Sequence, residues 1–136
     1  MKAQASLELI LLMSVFFSVM LLFTPVISKT FFLGIYALDA LKAKDFSDSF
    51  SAASAELNSM STESSLSITA EPLLEWRVKA DSNSLEATVL LEKYGKKKTF
   101  FSGQFNLVPF EHSFSEKTVF VLTKTEQGIL TEIQQV

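Results

Sequence analysis

Residues 4–28 read QASLELILLMSVFFSVMLLFTPVIS, and this stretch decides how the rest of the chain can be arranged. It contains no charged residue from Leu9 to Ser28. Twenty residues of α-helix are about 30 Å long, which matches the hydrocarbon core of a bilayer. Because such a helix is apolar on every side, it must be covered by lipid or by other protein. Residues 4–28 are therefore predicted to form a helix that spans a membrane or packs inside an assembly.

Glu8 stands at the start of this apolar run, where a carboxylate is unexpected. A charge that enters a membrane or a core costs free energy unless it is paired. An ordinary secretory leader carries Lys or Arg in this region and avoids acidic residues. We therefore expect Glu8 to have a partner or to be recognised by another protein.

Composition and motifs exclude several classes of function. The net charge of −3, spread over mixed signs, gives no reason to expect nucleic-acid binding. The absence of cysteine excludes disulfides, thiol catalysis and Cys-ligated metals. The single histidine, His112, is expected in a loop, and no catalytic, metal or cofactor site is predicted. Because the chain also lacks a G-x-S-x-G, a Gly-rich phosphate loop and an H-E-x-x-H motif, it is not predicted to be an enzyme.

The helical pattern changes character after Lys29 and becomes amphipathic. Apolar residues then recur mostly every three or four positions, while polar residues such as Asp39 and Lys42 fill the other positions. Pro25 removes a backbone donor and is predicted to kink the helix. The apolar stripe, which should pack on another element, consists of Phe31, Ile35, Leu38, Leu41, Phe46, Phe50, Ala53, Leu57 and Met60.

From about residue 65 the chain alternates with a period of two, which is typical of strands with one buried face. Trp76 and Val78 share one face of their strand, while Arg77 and Lys79 share the other. Turn signals at residues 81–84 and at Gly95 separate five or six short strands. The predicted fold class is α+β, with one long N-terminal helix, apolar in its first half and amphipathic in its second, packed on a small antiparallel sheet.

The lysine run 96–98 follows the turn at Gly95 and is predicted to be the solvated end of a hairpin. An alternative is an electrostatic patch that contacts anionic surfaces or a neighbouring subunit.

The N-terminus resembles that of archaeal type IV pilins. The residues Gln4, Ser6, Glu8 and Leu12 fit the Q-x-S-x-E-x-x-x-L pattern of archaeal class III signal peptides. The resemblance implies cleavage by a prepilin peptidase between Ala3 and Gln4. Glu8 then becomes the fifth residue of the mature chain and Pro25 the twenty-second, which are the offsets usual for Glu and Pro in bacterial type IV pilins.

The resemblance also implies a domain organisation and a set of partners. Residues 1–3 would be the leader, 4–28 the transmembrane and filament-core helix, 29–62 the amphipathic helix and 63–136 an antiparallel β head domain. The chain would first lie in the membrane and then join copies of itself, or other pilins, in an extracellular filament at the cell surface, with adhesion as its expected role. An assembly ATPase and a membrane platform protein would drive this step. The residues implied to pack in the filament core are Phe16, Phe17, Leu21, Leu22 and Phe23.

In bacterial type IV pilins the glutamate at the fifth mature position is thought to neutralise the amine of a neighbouring subunit. Here that amine would belong to Gln4, and cyclisation of Gln4 would remove it, leaving Glu8 to accept ordinary hydrogen bonds. Two other interpretations of the N-terminus remain. The helix could anchor a β-rich binding domain that never polymerises, or it could be a secretion signal that is cleaved before Lys29.

Overall fold

In the computed structural model, which describes residues 2–103 and 105–136, one long helix is followed by seven strands. Met1 of the expected leader lies outside the described residues. The elements are α1 Lys2–Ser59, β1 Ser65–Ala70, β2 Glu75–Ala80, β3 Ser84–Leu91, β4 Lys96–Gly103, β5 Phe110–Phe114, β6 Thr118–Thr125 and β7 Gly128–Gln135. The single-turn 3-10 helix Glu92–Tyr94 precedes β4. This order confirms the predicted α+β class.

Within the described chain the strands form two antiparallel sheets, where the sequence predicted one sheet of five or six strands. One sheet has the order β1-β6-β7 and the other the order β4-β3-β2-β5. The first strand pairs with β6, Ser65 opposite Thr123, rather than with the next strand along the chain. Alternation with a period of two marks a strand but does not show which strand it pairs with, because pairing depends on contacts between residues far apart in sequence. The number of sheets and the order of their strands therefore could not be predicted from the sequence pattern.

The chain divides into two compact units between Gly34 and Ile35. The first unit is helix alone. The second unit, from Ile35 to Val136, contains the rest of α1 and both sheets, and we call it the head unit. Its hydrophobic core is made entirely of its own residues.

The amphipathic part of α1 joins the two sheets of the head unit. The ring centroid of Phe46 lies 6.0 Å from that of Trp76 on β2 and 5.1 Å from that of Phe120 on β6. Phe50 and Leu57 are fully buried on the same side of the helix. One helix face thus covers both sheets, as the sequence predicted for a single sheet.

The position of that face is a correction to the predicted stripe. Leu38 and Leu41 were expected to be buried, yet 58% and 62% of their surfaces are exposed, while Asp39 is fully buried. The buried face instead steps through residues 39, 43, 46 and 50 at intervals of four, three and four. Because residues in a helix are about 100° apart, a stripe centred on Asp39 turns Leu38 and Leu41 away from it. Phe31 is likewise exposed in the first unit.

Strand alternation in the head unit follows the sequence closely. Trp76 and Val78 are buried on β2 while Arg77 and Lys79 are exposed. Gly95 adopts the left-handed conformation, with φ of 59°, at the turn into β4. His112 was expected in a loop but lies on β5, opposite Val78. Phe110 and Phe114, two positions before and after it, place His112 on the same face as themselves in an alternating strand.

Candidate functional site

The first unit presents a helix surface that the single chain leaves uncovered. Every residue from Ala3 to Ile27 is exposed. This part of α1 is long and apolar enough to cross a membrane, and none of its most apolar stretch is buried. By length and composition it is suited to a membrane anchor or to a secretion signal. The predicted filament-core residues lie here with more than half of each side chain exposed: Phe16, Phe17, Leu21, Leu22 and Phe23.

The hydroxyl groups of Ser14, Ser18 and Thr24 form hydrogen bonds within this helix. Ser14 donates to the carbonyl of Leu11 at 2.9 Å and Ser18 to that of Ser14 at 2.8 Å. Thr24, just before Pro25, donates to the carbonyl of Met20 at 2.8 Å. A hydroxyl bonded to its own helix enters an apolar environment at a lower cost than a free one. These three hydroxyl groups therefore donate their hydrogen bonds within the helix and need no donor bond to water or to another chain.

Pro25 lies inside α1, which continues on both sides of it to Ser59. The kink expected there stays a prediction. The proline has no N–H to offer the carbonyl of Leu21, so that carbonyl lacks its helical donor.

The motif residues lie in the first three turns of α1, where all of them are exposed. The spacing of four residues puts Gln4, Glu8 and Leu12 along one side of the helix and Ser6 on another. Glu8 shares a shallow depression with Leu11, Leu12 and Val15. Among the side chains that the structure describes, none forms a hydrogen bond or ion pair with Glu8. The carboxylate that the sequence singled out therefore has no partner among the side chains described for this chain.

Sequence reasoning missed one functional group of the head unit, the carboxylate of Asp39. Its Oδ1 accepts a hydrogen bond from the backbone N of Leu73 at 2.8 Å. Its Oδ2 accepts from the backbone N of Leu74 at 2.9 Å and from the indole Nε1 of Trp76 at 2.7 Å. The sequence could have indicated its burial by helical spacing alone, because Asp39 lies four residues before Ala43 on the buried face of α1. This group fixes α1 to the segment that joins β1 and β2.

In the described part of the chain no group of three or more His, Cys, Asp or Glu side chains is placed to hold a metal ion. The ring of His112 stacks on that of Phe114, with centroids 5.8 Å apart. Its Nε2 atom is buried and has no hydrogen-bond partner among the residues that the structure describes.

The surface of the head unit carries the ion pairs of Lys44 with Asp48 and of Lys117 with Glu71. Lys44 and Asp48 are 2.9 Å apart along α1, and the hydrogen bond to Asp48 raises the pKa of Lys44. Lys117 and Glu71 are 2.8 Å apart, and the hydrogen bond from Lys117 lowers the pKa of Glu71. Both pairs are well exposed, so each contributes little to stability.

Comparisons with protein-family models, with curated proteins and with solved structures find no match for this chain. The architecture itself, a long apolar N-terminal helix whose continuation packs on antiparallel strands, is compatible with a pilin-like fold.

Proposed function

We propose that this chain is the structural subunit of an archaeal type IV pilus-like extracellular filament that serves adhesion. The observation that carries the proposal is the contrast between the two units. The head unit completes a core without any residue before Ile35, while residues 3–27 are exposed on every side. Such a helix is free to lie in a bilayer first and to pack against other copies later.

The same sequence suits both environments because lipid and a bundle of apolar helices are alike as solvents. Without a hydrophobic difference between them, close packing decides whether helices associate. The small residues Ala5, Ser6, Ser14 and Ser18 allow neighbouring backbones to approach closely. The hydroxyl groups of Ser14 and Ser18 already donate to carbonyls of their own helix, so they do not need water as an acceptor when helices pack together.

Assembly would begin with processing. A prepilin peptidase would cut between Ala3 and Gln4, and an assembly ATPase with a membrane platform protein would move the mature chain into the filament. The proposal rests here on the register of Gln4, Ser6, Glu8 and Leu12 and on the apolar run that follows. The competing function, a β-rich domain on an anchor that never polymerises, requires the helix but not this register.

The test is the mass of the intact chain recovered from native membranes and from material sheared off the cells. A chain that starts at Gln4, or at its cyclised form, supports the proposal when it is found in sheared filaments. A start at Lys29 identifies a secreted domain, and an uncut Met1 in membranes alone identifies an anchor. Either of the last two results would reject the filament function.

Variants separate assembly from folding. Phe16→Asp and Glu8→Ala are expected to abolish filaments while the fluorescence of Trp76, buried in the head unit, stays native. Phe101→Asp is the matched control, because Phe101 is 74% exposed on the head unit and outside the apolar helix. Normal filaments from Phe16→Asp would contradict assembly through the helix.

A further inference from the structure

The head unit carries an apolar trough between α1 and the edge strand β4. We call it the trough and define it by Tyr36, Ala37, Leu41 and Lys44 of α1 with Lys98 and Phe100 of β4. Its volume is about 350 Å³. Leu41 is 62% exposed although it lies over this apolar floor. A surface of this kind, apolar with charges at its rim, is typical of a contact with another protein.

The positive charges at the rim are not equivalent. Lys44 is already paired with Asp48 at 2.9 Å. Lys98 lies over the ring of Phe100, with Nζ 5.4 Å from the centroid, and within the described residues no carboxylate is at ion-pair distance from it. The trough therefore has one cationic end that can receive a carboxylate.

The same chain offers a surface of complementary character. Glu8, Leu11, Leu12 and Val15 form one face of the apolar helix, with three aliphatic side chains beside a single carboxylate. Glu8 has no described partner, and the aliphatic side chains of this face are more than half exposed. A carboxylate beside an apolar surface fits a lysine beside an apolar surface, and the pairing sets the register of the contact.

We propose that the trough binds the first turns of the apolar helix of a second copy of this chain, with Glu8 of that copy against Lys98. This inference rests on the proposed function and specifies the partner of Glu8. The two surfaces are different, so the contact is heterologous and adds copies head to tail, which builds the open filament of the proposed function wherever the rotation does not close a ring. It also gives Glu8 a partner that survives cyclisation of Gln4.

Cross-linking between copies tests the contact directly, because the chain has no cysteine of its own. Two full-length forms with different tags are expressed together in the native cells, one with Val15→Cys, on the Glu8 face but outside the processing motif, and one with Leu41→Cys. Oxidation of the filaments is expected to join the two tags. The matched control replaces Leu41→Cys by Leu38→Cys, since Leu38 is similarly exposed on α1 but does not line the trough. That control is expected to give no joined product.

Charge reversal tests the polar end of the contact. Lys98→Glu places like charges together and is expected to lower both the filament yield and the 15–41 cross-link about tenfold, because the two carboxylates repel each other. Lys97→Glu, the adjacent exposed lysine outside the trough, is expected to leave the yield and the cross-link unchanged. Adding Glu8→Lys to Lys98→Glu is expected to restore the 15–41 cross-link.

The outcomes separate this inference from the proposed function. Normal filaments whose 15–38 cross-link equals the 15–41 cross-link would overturn the trough contact and leave the filament function standing. A specific 15–41 cross-link in membranes, without filaments, would support the contact and reject the filament. The absence of both filaments and cross-links would reject both.

Discussion

The carboxylate of Asp39 and the indole of Trp76 are joined by a hydrogen bond of 2.7 Å between two fully buried side chains. Asp39 belongs to α1 and Trp76 to β2, so the bond crosses the main packing surface of the head unit. The backbone N–H groups of Leu73 and Leu74 complete a set of three donors around the carboxylate. Because these donors all come from one side, they fix the rotation of α1 about its axis.

Asp39→Ala is expected to destabilise the head unit by about 3 kcal/mol, because the buried indole of Trp76 and two partly buried backbone N–H groups lose their acceptor. The measurement is urea unfolding of the full-length chain in detergent micelles, followed by Trp76 fluorescence. Asp45→Ala is the matched control, since Asp45 is exposed on the same helix and its loss should change stability by less than about 0.5 kcal/mol. Equal effects of the two substitutions would show that the buried hydrogen bonds carry no stability.

This bond also explains where sequence reasoning stopped. The apolar period of α1 predicted a packing face, yet it counted Leu38 and Leu41 in and left Asp39 out. A buried carboxylate is recognisable only when its donors are known, and these lie 34 to 37 residues further along the chain. The alternation of β2 needed no such knowledge, and Trp76 and Val78 were correctly predicted to share a face.

The candidate site also has one part that could be predicted from the sequence and one that could not. The apolar helix and the position of Glu8 could be read from 25 consecutive residues, because local composition determines both. The trough could not, since Leu41 and Lys98 come together only when α1 packs beside β4. Lys98 was predicted only as part of a solvated hairpin end or a general electrostatic patch.

The two glycines Gly128 and Gly34 are expected to respond to alanine in opposite directions. Gly128 has φ of 132°, and a Cβ there would lie 2.7 Å from the backbone O of Asn106. Gly128→Ala should therefore cost about 3 kcal/mol through strain and overlap. Gly34 is inside α1 with nothing within 4 Å of a Cβ, so Gly34→Ala should stabilise the helix by about 0.5–1 kcal/mol. Thermal unfolding followed by circular dichroism measures both, and a neutral Gly128→Ala would contradict the tight contact.

The ion pair of Glu71 with Lys117 predicts a small dependence of stability on pH. Lys117 holds the pKa of Glu71 below its ordinary value of 4.5 in the folded state. The stabilisation is therefore present above pH 4.5 and is lost as the pH falls through the lowered pKa. Glu71→Gln should lower the melting temperature slightly near neutral pH and have no effect in strong acid.

Salt provides the control for this prediction. Because both side chains are exposed, about 1 M salt should screen the pair and reduce the difference between wild type and Glu71→Gln. Glu111→Gln, at an exposed glutamate with no ion pair in the described chain, should show no such pattern. A difference that grows in acid would have the wrong sign for a lowered pKa.

Phe50→Ala and Leu38→Ala together test which face of α1 packs on the sheets. Phe50 is fully buried, and its ring centroid lies 6.2 Å from that of Phe105, so its truncation leaves a cavity in the core. The expected loss is about 3–5 kcal/mol, measured by urea unfolding of the full-length chain in micelles. Leu38 is 58% exposed, and its truncation should cost less than about 0.5 kcal/mol. If Leu38→Ala were the costly one, α1 would pack through the stripe predicted from the sequence, and the Asp39 hydrogen bonds could not form as described.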